Sequence, residues 1–273
     1  MRLLLTVLLL IFAPFSFAIE RIISLAPSST ELVYAAGLAD KLIAVSDFSD
    51  YPEEAKQLER VASFQSVNVE RIIALNPDLI VAWRSGGVSK SLTQLEQLGY
   101  KIYYSDTDKL SDIAVRLEEL SQYANNPDIG MLNAQKFRDK LAKLDEKFRD
   151  RTKVRYFYQL SSKPIYTIAQ SHWPSEVFSL CGGINIFKQS PNPYPQVGLE
   201  QVLVRKPEAI FTSSHTTQNP EMWDKWRAQL PAVQNHNIWS LNSDWLNRPT
   251  PRSLMAIEEV CSRFDQVRAK NQK

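Results

Sequence analysis

Two stretches of this chain can be laid on each other without a gap. Val67-Asn-Val-Glu-Arg-Ile-Ile-Ala-Leu-Asn-Pro-Asp-Leu-Ile80 aligns with Val197-Gly-Leu-Glu-Gln-Val-Leu-Val-Arg-Lys-Pro-Glu-Ala-Ile210 at an offset of 130 residues. Val, Glu, Pro and Ile coincide at the first, fourth, eleventh and fourteenth places, apolar residues match between them, and Asp78 falls on Glu208. Helix, proline and strand in succession are ordinary α/β punctuation. Repeated at half the chain length, they predict two similar lobes rather than a solenoid, whose repeats are far shorter.

The rest of the chain fits that division. After residue 18, Arg21–Ala26 reads as a buried parallel strand, followed by Pro27 and a helix to Ala36 that Gly37 stops. Ser28 stands three residues before Glu31, the spacing of a capping box. Strands are expected at 42–46, 79–83 and 101–105, and helices at 69–74, 91–98 and 110–123. In the second half the pattern restarts, with strands at 154–160, 209–212 and 238–241. Helices are expected there at 175–181, 199–204, 223–229 and 253–267, with Pro251 in the first turn of the last. Between the halves, 127–150 carries Ile129, Leu132, Phe137, Leu141, Leu144 and Phe148 on one stripe against a charged face. Such a helix would be roughly 30 Å long, either another sheet-covering helix or a rigid rod joining two lobes. The expected fold is α/β: two Rossmann-like lobes with parallel sheets, residues 19–124 and 151–273, joined by a long helix over 125–150.

Residues 1–18 read as a signal peptide. Arg2 precedes the apolar run Leu3–Phe12, and Ser16-Phe-Ala18 supplies small residues for a cut after Ala18. The run is short for a membrane span. No cysteine stands near the cut to carry a lipid, so confinement by an outer membrane, and hence a periplasm, is expected. In that oxidising compartment Cys181 and Cys261 either bridge or lie as two buried thiols. A bridge closing so long a loop would stabilise by about 4–5 kcal/mol.

A net charge of +2 without a basic run argues against nucleic acid as a partner. Nucleophile-elbow, dinucleotide and P-loop glycine motifs are absent, and His172, His215 and His236 are isolated from one another. Neither an enzyme nor a metal centre or cofactor is expected. The paired acids Glu53-Glu54 and Glu258-Glu259 read as solvated helix faces. What stands out is aromatic residues in loops after strands: Phe48, Tyr51, Phe64, Trp83, Tyr194 and Trp245. Open α/β sheets take ligands at the carboxyl ends of their strands, where rings supply apolar contact. Ser28 and Ser29 open a helix facing the same end, and Arg84 and Arg248 are candidates for polar ligand groups. Glu70 and Glu200 occupy equivalent places in the repeat, in first helical turns after Asn68 and Gly198. Either could simply favour the helix dipole. Kept in both lobes, they read as two negative knobs for a two-fold partner with basic pockets.

Over nearly all of the mature chain, these segments resemble the periplasmic vitamin B12-binding proteins, within the helical-backbone class (class III) of metal-chelate and siderophore binding proteins. The resemblance runs through Leu25-Ala-Pro-Ser-Ser-Thr-Glu31, Ser49-Asp-Tyr-Pro52 and Asn68–Asp78. It continues in Ala82-Trp-Arg-Ser-Gly86, Cys181-Gly-Gly-Ile-Asn-Ile-Phe187 and Ser243-Asp-Trp245. It implies a monomer that clamps cobalamin between its lobes, with contacts from the residues named above and from Asp244. It also implies a Cys181–Cys261 disulfide, and Glu70 and Glu200 docked on arginines of the membrane permease dimer of an ABC importer. The best-known members carry tryptophan where this chain has Phe64 and Tyr194. The nearest rival is a siderophore or haem carrier on the same scaffold.

Overall fold

The computed structural model describes residues 19–84, 88–169, 173–214 and 221–272. The expected signal peptide, His172, His215 and the Gly86-Gly87 pair lie outside these. In the first lobe, β1 (Ile22–Ser24), α1 (Pro27–Ala35), β2 (Leu42–Ser46), β3 (Glu59–Ala62), α2 (Val69–Leu75), β4 (Leu79–Ala82), α3 (Ser89–Gln97), β5 (Ile102–Tyr104) and α4 (Leu110–Ser121) follow one another. The five strands pair in parallel in the order β3-β2-β1-β4-β5. Ile22 and Ile23 face opposite sides of this sheet, as strand geometry requires, and both are fully buried. Strand β3 was not expected: Glu59-Arg-Val-Ala62 has too few apolar residues to announce itself, and pairing with β2 supplies what propensity does not.

Helix α5 (Asp128–Phe148) follows, 21 residues long. Then come β6 (Val154–Gln159), a hairpin of β7 (Ser161–Ser162) and β8 (Ile165–Tyr166), α6 (Ser175–Leu180), β9 (Gly183–Asn185), α7 (Leu199–Arg205) and β10 (Ala209–Ser213). The chain ends with α8 (Glu221–Asp224), α9 (Pro231–Gln234), β11 (Ile238–Leu241), α10 (Ser243–Asn247) and α11 (Ser253–Asn271). The second sheet is parallel in the order β11-β10-β6-β9. Matching β1 with β6 and β4 with β10 makes this the first sheet without a partner for β3.

The repeat is visible atom by atom. Helices α2 and α7 each end on a left-handed residue, Asn76 at φ 44° and Lys206 at φ 45°. A proline and an acid then lead into the strand. Asp78 accepts the backbone N–H of Arg21 at 2.9 Å, and Glu208 accepts that of Arg155 at 2.9 Å. Each of those arginines donates its guanidinium to the last residue of the helix that precedes the acid, at the carbonyl of Leu75 in α2 or of Arg205 in α7.

Several expected details shift. Ala26 is the N-cap of α1 and Pro27 its first residue, with no side-chain cap. Proline fits that position because it has no N–H to satisfy. Glu31 therefore lies too deep in the helix to close a capping box, and it bonds elsewhere. Helix α8 stops at Asp224, the segment to Gln229 being turns. Helix α11 is capped at Arg252, which places Pro251 just ahead of it. The stripe on α5 is also displaced. Ile129 and Leu132 are exposed, whereas Gly130, Ala134, Phe137, Leu144 and Phe148 are buried. Small residues let α5 approach α1 and α4 closely: a Cβ on Gly130 would lie 2.5 Å from Ser121 Cβ.

Through Phe137, Leu144 and Phe148 the same apolar cluster reaches both lobes, from Ile22 and Leu117 to Tyr156, Phe178 and Phe264. Arg138 pairs with Glu118 on α4, and Lys140 with Glu258 on α11. Helix α5 is thus the rod of the two sequence-based readings: it is packed to each lobe rather than covering one sheet. Cys181, which caps α6, is bonded to Cys261 of α11 with both residues fully buried. No helix among the described residues is long and apolar enough to cross a membrane.

Candidate ligand cleft

All strands of each sheet run the same way, so their carboxyl ends gather on one side, and there the lobes face each other across a cleft. Two adjoining chambers occupy it. One, of about 250 Å³, is lined by Leu25–Ser28 after β1, Phe48 after β2, Phe64 after β3, Trp83 after β4 and Arg248 of the second lobe. The other, of about 320 Å³, lies between Trp83, Thr107, Leu160, Trp173, Tyr194 and Pro249. Ser28, Trp83 and Asn247 border both. Phe48 and Phe64 are each 76% exposed, Trp83 40% and Tyr194 48%. Rings so exposed are not core. Phe48 also holds φ at 59°, a left-handed backbone unusual for a bulky residue. It is a conformation that the surrounding structure has to maintain.

The structure separates the other expected contacts. Ser29 is fully buried, and its hydroxyl bonds that of Ser105 at 2.8 Å, so it does not reach the cleft. Of the serine pair only Ser28 lines it. The Arg84 guanidinium lies over the Tyr104 ring at 4.0 Å, and the backbone N–H of Arg84 donates to the Asp106 carboxylate at 3.0 Å. Trp245, on α10, packs partly buried against the main core and does not line either chamber. Short helices are illegible by period, so α10 looked like a loop. Tyr51 turns away to a separate groove of about 620 Å³ bordered by α5 and α11, under the guanidinium of Arg252 at 4.1 Å.

Between the chambers and that groove stands a cluster of charges. Glu31, whose side chain is 3% exposed, accepts from Arg252 Nε at 2.9 Å and from its terminal nitrogen, and from Arg248 at 3.2 Å. Arg248 also pairs with Asp50 at 2.9 Å and Asp244 at 2.8 Å. Burial by itself would raise the carboxyl of Asp50. The hydrogen bond and charge of Arg248, with Arg252 beyond, outweigh it and hold that group below its ordinary value. Burial would likewise lower Arg252, and Glu31 reverses the sign. Asp244 lines neither chamber and meets the chamber-lining Arg248 by this ion pair. Thr107, Trp173, Asn247, Glu31 and Arg252 were not expected there. Only Trp173, a large ring before a proline, carried a usable signal; its indole N–H bonds the carbonyl of Leu246 at 2.9 Å, which fixes the ring.

Glu70 and Glu200 are both exposed, in the first turns of α2 and α7. Asn68 caps α2 through the N–H of Arg71, and Gln201 reaches back to the N–H of Gly198. Both helices end where a central strand begins, so their first turns, and both acids, lie on the side where the cleft opens.

Two α/β lobes joined by one long helix packed on both, with a cleft lined by aromatic rings between them, define the architecture of a two-lobed binding protein. The chain belongs to the periplasmic binding protein family, whose model matches residues 22–245. It is 55% identical over 264 residues to the vitamin B12-binding protein of Vibrio campbellii, covering 96% of each chain. It also superposes on the crystal structure of the periplasmic vitamin B12 binding protein BtuF of Vibrio cholerae with a TM-score of 0.88. That match has 55% identity and covers 92% of this chain and 98% of that one. The periplasmic haem-binding protein RhuT of a Roseiflexus species matches with a TM-score of 0.79 at 21% identity, over 91% of this chain and 99% of that one, a likeness of fold alone.

Proposed function

We propose that this chain captures vitamin B12 between its lobes in the periplasm and delivers it to the membrane permease dimer of an ABC importer. The observation that carries the reading is the set of exposed rings around one cleft, Phe48, Phe64 and Trp83 from the first lobe and Tyr194 from the second. A corrin macrocycle is broad, partly apolar and edged with amides. It suits stacking rings with a few polar groups between them, here Ser28, Asn247 and Arg248. The high identity to B12-binding relatives supports the same ligand. No bond is made or broken: capture and release are differences in affinity. Release in this reading follows docking of Glu70 and Glu200, 130 residues apart in sequence and on the cleft side of each lobe, into basic pockets of a two-fold partner. Residues 1–18 are removed on export, and the protein works as a monomer.

Isothermal titration with cyanocobalamin tests the ligand. Micromolar or tighter binding without turnover is expected. No binding of cyanocobalamin, with haem or a ferric chelate bound in its place, would transfer the assignment to another chelate carrier of the same fold.

A further inference from the structure

Glu31 is a buried acid on the first lobe whose partners both come from the second. Its carboxylate, 3% exposed, takes two bonds from Arg252 and one from Arg248. The two arginines are themselves only 16% and 13% exposed. Glu31 sits midway along α1, whose first turn borders the ligand chambers at Ser28 and whose last residues, Tyr34 and Ala35, border the groove beside α5. The contact therefore bridges the lobes at the floor of the cleft, between the opening and the rod. A buried ion pair is weak evidence for stability, but it is selective about geometry: its members tolerate few separations and orientations once water is excluded. Arg248 borders the ligand chamber while being held by Glu31, Asp50 and Asp244.

We propose that Glu31 is a positioning residue, an inter-lobe strut that sets the width of the empty cleft and holds Arg248 where a ligand amide meets it. The inference rests on the cleft being the cobalamin site. Moving the lobes apart strips Glu31 of both partners, so opening is opposed until an outside force supplies the work.

The test uses spin labels carried on noncanonical residues at Leu98 and Val204, both exposed and one on each lobe, which leaves the native disulfide intact. Pulsed electron resonance on the ligand-free protein should give a narrow distance distribution. Glu31→Gln should broaden it and weaken cyanocobalamin about tenfold, within the range of ordinary coupling. Because this variant leaves two arginines short of a partner, Glu31→Gln with Arg252→Gln serves as the second: it removes one charge of each sign and should broaden the distribution equally. In an Arg248→Ala background the two Arg252 bonds to Glu31 remain, so Glu31→Gln should still broaden the distribution but lower affinity by less than it does alone. An unchanged distribution in either folded variant, or losses of affinity that add in that background, overturns the proposal. Failure of the wild type to bind cyanocobalamin would instead defeat the assigned ligand, with the ligand-free distances still judging the strut.

Discussion

Opening the Cys181–Cys261 bond tests whether the two lobes share one cooperative core. The bond closes a loop of 80 residues and joins α6 to α11 inside the second lobe. On the chain-entropy model, closing a loop of that length is worth about 4.5 kcal/mol at 25 °C. How far the melting temperature falls depends on what melts with it. Unfolding entropy is roughly 2 cal/mol/K per residue, so a second lobe of about 120 residues melting alone would lose about 18 °C, and a unit of about 250 residues about 8–9 °C. The apolar cluster running through Phe137, Leu144 and Phe148 into both lobes argues for the single unit. Differential scanning calorimetry of oxidised protein against protein refolded and held in reductant should therefore show one transition lowered by about 8–9 °C. Reduction keeps both sulfur atoms in the core, so no cavity confuses the comparison. Two separated transitions would refute the shared core, and a single shift below about 3 °C would refute the loop-entropy reasoning.

Trp83 borders both chambers, and truncating a ring anchor of this kind typically removes about 2 kcal/mol of binding; titration of Trp83→Ala should show cyanocobalamin bound about 30-fold more weakly, and an unchanged Kd would remove the ring from the site. Glu70→Ala combined with Glu200→Ala should leave ligand affinity within about twofold and abolish B12 uptake in cells; lost affinity would refute the docking role. Gly130→Ala sets a gain of about 1 kcal/mol in helix propensity against a Cβ placed 2.5 Å from Ser121 Cβ and 3.0 Å from the carbonyl oxygen of Ala36. Overpacking costs about 1–3 kcal/mol, so urea denaturation should show net destabilisation, and a more stable variant would mean that α5 is not tightly seated on the first lobe.

The repeat made the architecture readable. Apolar runs with proline stops mark α2, β4, α7 and β10 unambiguously, and the αL residues Asn76 and Lys206 show that the likeness extends to backbone conformation. What stayed hidden depends on partners distant in sequence. Strand β3 is polar and exists because β2 lies beside it. Glu31 stands three residues after Ser28 in a plausible cap, and only the fold brings Arg248 and Arg252 against it, more than 200 residues later. Ser29 at the start of a helix and Tyr51 in a loop had the right residue types after the right strands. Yet a helix beginning at Pro27 turns successive side chains by about 100°, which sends Ser28 to the cleft and Ser29 inward. The exposed rings were legible because large aromatics in loops after parallel strands have few other reasons to be there.

The seating of α5 on both lobes bears on how such a carrier competes for its importer. A hinged carrier changes shape on loading, and a membrane partner can read that shape. If the shared core and the charged contacts across the lobes hold them at one separation, an empty copy of this protein would present Glu70 and Glu200 at nearly the same spacing as a full one. If those acids dock as proposed, empty copies occupy the importer too. Uptake would then follow the loaded fraction of the carrier rather than its amount, and making more carrier in a vitamin-poor medium would slow import.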